Sequence, residues 1–243
     1  MSEASASDWH ATLQRHCALH ARMPLPLRDR AVDMARRFVR DKRFVGCNGL
    51  QVDDTMRRVV AFQACALVVA RGLHCYDALQ SVLLYPDEFL IQGSVEDEIG
   101  VVTEYHEPAS GQAIDTARIV LSWPDVLQAG RDDDGYNVVI HEFAHHLDHS
   151  LDGALSAPAA GSSWHAVLER EYLALCADAD AGRDTLIDPY GSEDPAEFFA
   201  VASETFIELP RALHAAHPQL YAALAALYAI DPVDWLPAQV RAD

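Results

Sequence analysis

Basic side chains are scarce in this chain. Its 243 residues carry 18 Lys and Arg against 37 Asp and Glu, a formal net charge of −19. Such a surface repels nucleic-acid phosphates and anionic membranes, so neither is expected as a direct partner, whereas basic or neutral proteins and peptides remain open. Cysteine offers no framework either. Cys17, Cys47, Cys65, Cys75 and Cys176 are odd in number, widely spaced and never in a Cys-x-x-Cys pair, so neither a disulfide scaffold nor a thiolate metal site is indicated. Reduced, mostly buried thiols in the cytoplasm are the expected state. Long hydrophobic runs are missing: the greasiest, residues 59–70, is short and contains Gln63, which fits a buried helix rather than a membrane span. The first twenty residues mix Glu3, Asp8 and three histidines without an apolar stretch, so no secretory signal is expected there. Repeats, long linkers and low-complexity tracts are absent as well.

What the chain does have is 50% hydrophobic residues, enough to fill the core of one sizeable domain. Residues 1–26 read as a polar start closing in Pro24-Leu25-Pro26. Apolar residues at Val32, Met34, Ala35, Phe38 and Val39 predict a helix over 29–44, ended by Gly46. A second helix should run from Asp53-Asp54-Thr55 to about Ala70, before Gly72. Short β-branched runs at 81–85, 100–106 and 118–123 predict strands. A turn at 130–135 leads into a helix beginning near 138, a small-residue loop is expected at 153–163, and helices at 164–179, 195–208 and from Pro218 follow. Asp194 and Pro195 cap and open the helix at 195–208, which Pro210 stops. Mixed helices and strands predict an α+β fold: a mainly helical single domain at 24–243 with a small sheet, preceded by a polar segment at 1–23.

One pattern specifies chemistry. His141-Glu142-x-x-His145 puts two imidazoles one turn apart on a helix face, where both can hold one metal ion with Glu142 beside them. Chance alone gives such a motif with a frequency of roughly 3% in a chain of this composition, so the context matters. Helical projection of 138–151 places Ile140, Phe143, Ala144, Leu147 and Leu151 on one arc and His141, His145, Asp148 and His149 opposite. The bland alternative is a solvated face rich in histidine.

A catalytic zinc usually takes three protein ligands, so a third donor is needed. The His-Glu-x-x-His-x-x-Gly-x-x-His extension is excluded, because Asp148 and Leu151 stand at its last two fixed positions. His149 would stretch one ion over three helical turns. The acidic helix at 195–208 offers Glu197, Glu204 and Glu208. Glu197 can either ligate or return to the Asp194 amide as a capping box, and helix rules do not separate the two. Glu204, two turns on, is either the alternative ligand or an acceptor for a ligating imidazole. Asp148 reads as another such acceptor or as a helix-surface acid.

Several segments carry a resemblance: Pro24-Leu25-Pro26-Leu27, Gly135 through His145, Asp188-Pro189-Tyr190-Gly191, Ala196 through Glu204, and His217-Pro218-Gln219-Leu220-Tyr221 with Asp231-Pro232. Together they resemble the Mlc titration factor A family of bacterial zinc peptidases, from about residue 24 to 235. The half around His141 is also similar to the catalytic domain of anthrax lethal factor. The resemblance implies a gluzincin-like active-site helix and one Zn2+ per chain held by His141, His145 and Glu197. It further implies Glu142 as the catalytic glutamate, Tyr190 as an active-site tyrosine and an aminopeptidase type of activity. His146 and His149 stand where the resemblance sets no requirement, and could perturb a nearby pKa or bind metal adventitiously.

Zinc chemistry at that site implies peptide hydrolysis by an activated water, with Glu142 moving the proton and Tyr190 donating to the oxyanion. Substrate could add as a strand beside residues 118–123, just upstream of the metal helix. The family's name comes from capture of a glucose-responsive transcriptional repressor. A second expectation is therefore an interaction protein with secondary peptidase activity, whose acidic surface suits a basic partner. A structural metal site without turnover is the third.

Overall fold

The computed structural model describes residues 5–87, 89–96, 102–109, 111–129, 134–151, 153, 155–156 and 163–236. The polar start folds as two helices, α1 (Ala6–His16) and α2 (Ala18–Arg22). Ser5 and Asp8 form a reciprocal capping box at the entry to α1, and Trp9, Leu13, Leu19 and Met23 enter the main core. The next helix, α3 (Leu25–Asp41), begins a turn earlier than expected, with Pro26 in its first turn where a missing N–H costs nothing.

The helix also stops earlier. Residues 43 and 44, expected within it, instead open strand β1 (Arg43–Gly46). The change occurs at Lys42, the only lysine in the chain, whose backbone is extended. Its Nζ donates to the carbonyls of Tyr76 and Leu79, at 2.6 Å each. Those acceptors lie 34 and 37 residues away, beyond the reach of local periodicity. Helix α4 (Asp54–Leu67) follows the sequence reading more closely: Asp53 caps it by accepting from the Met56 N–H at 2.8 Å, and everything from Val59 to Leu67 is buried.

Five further strands follow: β2 (Ser81–Tyr85), β3 (Phe89–Glu96), β4 (Val102–Ala109), β5 (Gly111–Asp115) and β6 (Arg118–Ser122). β2 and β6 were expected. β4 overlaps the run at 100–106, whose first two residues lie outside the described ones, while β1, β3 and β5 were not anticipated. One sheet has the order β1-β2-β6-β5, and β3 pairs with β4 as a separate antiparallel ribbon. β1, β2 and β6 are parallel in register Arg43↔Ser81↔Arg118, and β5 runs antiparallel to β6. Parallel neighbours need long crossovers, here supplied by α4 and by the β3–β4 ribbon. β6 is therefore interior, and the expectation that substrate adds beside it is corrected: its two edges are taken by β2 and β5, leaving β5 at the rim.

The remaining helices are α5 (Trp123–Gln128), α6 (Val138–His149), α7 (Ser163–Asp180), α8 (Pro195–Glu208), α9 (Pro210–Ala216) and α10 (Pro218–Tyr228). α8 keeps the expected bounds. Pro210 ends it as anticipated, but also opens α9, an unexpected helix. The loop expected at 153–163 and the turn at 130–135 fall largely outside the described residues. The domain is α+β and mainly helical, and no helix among the described residues is long and apolar enough to cross a membrane. At its centre Phe143 of α6 packs against Phe38 and Tyr76, with ring centroids 5.9 and 5.0 Å apart. Burying such a ring contributes about 2–3 kcal/mol, and these contacts fix how α6 rotates.

Candidate metal centre

Asn137 starts α6. Its side-chain oxygen accepts from the N–H groups of Val139 and Ile140, both at 3.1 Å, the role expected of an N-cap asparagine. The helix that follows is not amphipathic in the expected sense. Residues 142–148 are all buried, so the solvated-face alternative fails, and only Leu151, expected in the core, turns out exposed at 54%. Polar groups on this helix must therefore find partners inside the protein.

Helix α8 supplies the counterpart. The Asp194 carboxylate accepts from the N–H groups of Ala196 at 2.7 Å and Glu197 at 3.0 Å. The Glu197 side chain itself turns towards α6. Its oxygens lie 3.1 Å from His141 Nε2 and 3.3 Å from His145 Nε2, and the two imidazole nitrogens are 3.1 Å apart. His141, His145 and Glu197 are thus brought together with their ligating atoms within 4.8 Å of one another, the single such group among the described residues. Glu204 stands behind: its Oε1 accepts a hydrogen bond from His141 Nδ1 at 2.7 Å, which leaves Nε2 to face the cluster.

The electrostatics of this pocket favour positive charge. Burial opposes protonation of His141, but Glu197 and Glu204 outweigh it and hold its pKa well above the usual histidine value. Burial likewise works against the Glu197 carboxylate, yet the two imidazoles pull it down to about 2. The field that keeps a proton among these groups acts equally on a metal cation. Two imidazole nitrogens and a carboxylate converging on one point are also the donor set that suits zinc, so the residues present fit such an ion. Glu142 is fully buried, and burial pushes its carboxyl up to about 7. Its Oε2 has no hydrogen-bond partner.

Tyr190 lies in the short 3-10 turn Pro189–Ser192 before α8. Asp188 caps that turn by accepting from the Tyr190 N–H at 2.8 Å. Gly191 allows the turn to seat closely, since a Cβ there would meet Leu175 Cδ2 at 3.2 Å and Phe198 Cα at 3.4 Å. The Tyr190 ring, half exposed, faces that of His141 with centroids 6.2 Å apart. Burial and the charges of Glu197 and Glu193 raise its pKa, so the phenol keeps its proton as a donor.

Other histidine-face residues do different work. Asp148 neither orients a ligand imidazole nor lies on the surface: it is buried and accepts from the N–H groups of Leu155 and Ser156 at 2.8 and 2.9 Å, and from the Ser156 hydroxyl. It therefore ties down the chain leaving α6. His146 is buried against Tyr76, and burial pulls its pKa down to about 4, which keeps it neutral. His149 is exposed, its ring stacked 6.3 Å from that of His145.

Comparison with known proteins fits this geometry. The sequence profile of the glucose-regulated metallo-peptidase M90 family matches residues 1–229. The chain belongs to that family. Among its relatives, Mlc titration factor A of Pectobacterium atrosepticum is 35% identical over 82% of this chain and 78% of its own length. Mlc titration factor A of an Escherichia coli strain is 34% identical over 84% and 80%. An uncharacterised protein of Synechocystis sp. is 34% identical over 93% of this chain and 84% of the relative. M90 membership brings a metallopeptidase-type function and a metal ion. Sequence reading missed Asn137 and Gly191 as parts of the framework. Asn137 was detectable, being an Asn just before the first apolar-periodic residue of α6; the close approach at Gly191 carries no local signal.

Proposed function

We propose that this M90 metallopeptidase is a zinc-dependent peptidase with His141, His145 and Glu197 as ligands, Glu142 as general base and Tyr190 as oxyanion donor. The observation that carries it is the convergence of two Nε2 atoms and the Glu197 carboxylate beside the unpartnered Oε2 of buried Glu142. Bound there, zinc would supply Lewis acidity to the attacking water and the scissile carbonyl. Glu142, whose carboxyl is pushed up to about 7 by burial, accepts the water's proton and hands it to the leaving amine. The Tyr190 phenol donates to the oxygen on which negative charge develops. Glu204 keeps His141 in the tautomer that presents Nε2. Substrate backbone adds along β5, which packs against α6 and has no strand paired on its outer side among the described residues. A cytoplasmic location suits five cysteines of which all are free.

The test is metal analysis paired with a peptide-library assay, including substrates with free and blocked amino termini, on the wild type and on Glu142→Gln. Stoichiometric zinc, turnover by the wild type and none by the variant are expected. Absence of zinc from the wild type overturns the reading, and inertness with zinc bound leaves a structural metal site. Preference for blocked termini removes the aminopeptidase assignment.

A second reading is favoured by the name Mlc titration factor A carried by two of the relatives and by the net charge of −19. Here the chain captures a basic transcriptional repressor of sugar uptake, with peptidase activity secondary. Glu142→Gln should then leave capture intact, and a binding assay with the repressor from the same organism decides it.

A further inference from the structure

A chain of buried polar contacts leads from His141 to the amino-terminal helices. Glu204 Oε1 accepts from His141 Nδ1, and its other oxygen accepts the backbone N–H of Asn137. Asn137 is fixed in turn. Its Oδ1 caps α6, while its Nδ2 donates to Gln63 Oε1 on α4 at 2.9 Å and to Glu208 Oε1 at 2.6 Å. Glu208, in the last turn of α8, is gripped by Arg22 of α2. One guanidinium nitrogen reaches its Oε2 and another its backbone carbonyl at 3.0 Å. Gln63, Asn137, Glu204 and Glu208 are all at least nine-tenths buried.

Each link answers a physical need. A buried carboxylate such as Glu204 is stable only with donors on both oxygens, and burial alone pushes its carboxyl up. The Asn137 amide supplies the second donor. That amide can serve Glu204 only while the Asn137 side chain stays in place, and two acceptors, Gln63 and Glu208, hold it there. Glu208 is a buried charge whose counter-charge comes from Arg22, 186 residues away in the sequence. Partly satisfied buried networks are unstable, so the links stand or fall together.

From this geometry we infer that Arg22, Glu208 and Asn137 are positioning residues for the metal centre, and that docking of α2 sets the orientation of the His141 ring. The inference rests on the zinc-peptidase reading above. Removing Arg22 frees Glu208 from its counter-charge, loosens the Asn137 side chain and lets the Glu204–His141 pair rotate, without touching any proposed ligand.

The experiment measures the zinc dissociation constant by competition with a chromogenic chelator, alongside the melting temperature of the metal-stripped protein. It uses the full chain as wild type, Arg22→Met, Arg22→Lys, Glu208→Gln and Asn137→Ser, the last retaining a capping oxygen. Asp231→Asn is the control, since it weakens the partly buried Tyr221–Asp231 hydrogen bond outside the network. Arg22→Met and Glu208→Gln are expected to weaken zinc binding by about 10-fold or more, with partial recovery in Arg22→Lys. The control should lower only the melting temperature. Unchanged zinc affinity in the folded network variants overturns the inference while leaving the peptidase reading intact. A wild type that binds no zinc removes the peptidase reading itself.

Discussion

Two pairs of histidines in this molecule bring ring nitrogens to nearly the same separation. His141 and His145 face each other through Nε2 atoms 3.1 Å apart; His10 of α1 and His20 of α2 meet through Nδ1 and Nε2 at 2.9 Å. The surroundings differ. At the first pair Glu197 converges on both nitrogens and Glu204 backs one ring. At the second, the nearest carboxylate, Asp29, lies 3.5 Å from the other nitrogen of His10 and so on its far side. The His20 pKa is pulled down to about 4 by burial, then by Arg28 and His10, whereas that of His141 is held well above its usual value. Two imidazoles at chelating distance do not make a cation site. A carboxylate aimed at the same point adds what they lack, a third donor and a field that offsets burial of positive charge.

The largest effect should come from Glu142→Gln, which leaves every donor of the first pair in place. Peptide turnover is expected to fall by about 10²–10⁴-fold with zinc content unchanged. Loss of zinc along with activity would show that Glu142 belongs to the donor set. Glu197→Gln makes the first pair resemble the second, and zinc affinity should drop by about 100-fold or more, beyond what outer partners of a ligand contribute. Retention of tight zinc would break the comparison at its centre. Tyr190→Phe should reduce kcat by about 10²-fold with KM and zinc affinity little altered, as for one lost oxyanion donor; a purely packing tyrosine would change stability and leave kcat alone.

The second pair yields smaller effects. Replacing His10 and His20 together by alanine is expected to leave zinc at one per chain by elemental analysis. A fall in metal content would mean that the missing carboxylate does not matter. For His20 the sign follows from its lowered folded pKa: its neutral form contributes stability above about pH 6.5, lost as pH falls towards 4. His20→Gln should therefore flatten the acid-side decline of stability, by about 2 kcal/mol over that window. Urea denaturation at pH 7 and pH 4.5 measures it, and an unchanged decline would show that His20 does not titrate there.

Elements governed by short-range rules were legible without the structure. Asp194 with Pro195 marks the start of α8 and Pro210 its end; Asp53 marks α4, and the short apolar run at 81–85 before Pro86 marks β2. Where a distant partner decides, reading failed. Lys42 ends α3 by reaching carbonyls across the fold, and β1 then pairs with a strand whose residues lie almost forty positions on. The site shows the same division. The spacing of His141 and His145 declares a shared face, but Asp148, equally at home on that face, spends its carboxylate on Leu155 and Ser156 instead.

By itself the sequence determined the metal-binding pattern, the helices that carry it and the acid-rich segment able to complete it, because caps and the 3.6-residue period act within a few residues. Helix rules left the completing acid open and the family resemblance pointed to Glu197; only the tertiary structure puts that carboxylate beside the two imidazoles. Packing of α6 against α8 sets the Glu197 oxygens 3.1 and 3.3 Å from the Nε2 atoms of His141 and His145. That juxtaposition is made by helix packing across 52 to 56 residues of chain, a distance over which no local pattern carries information.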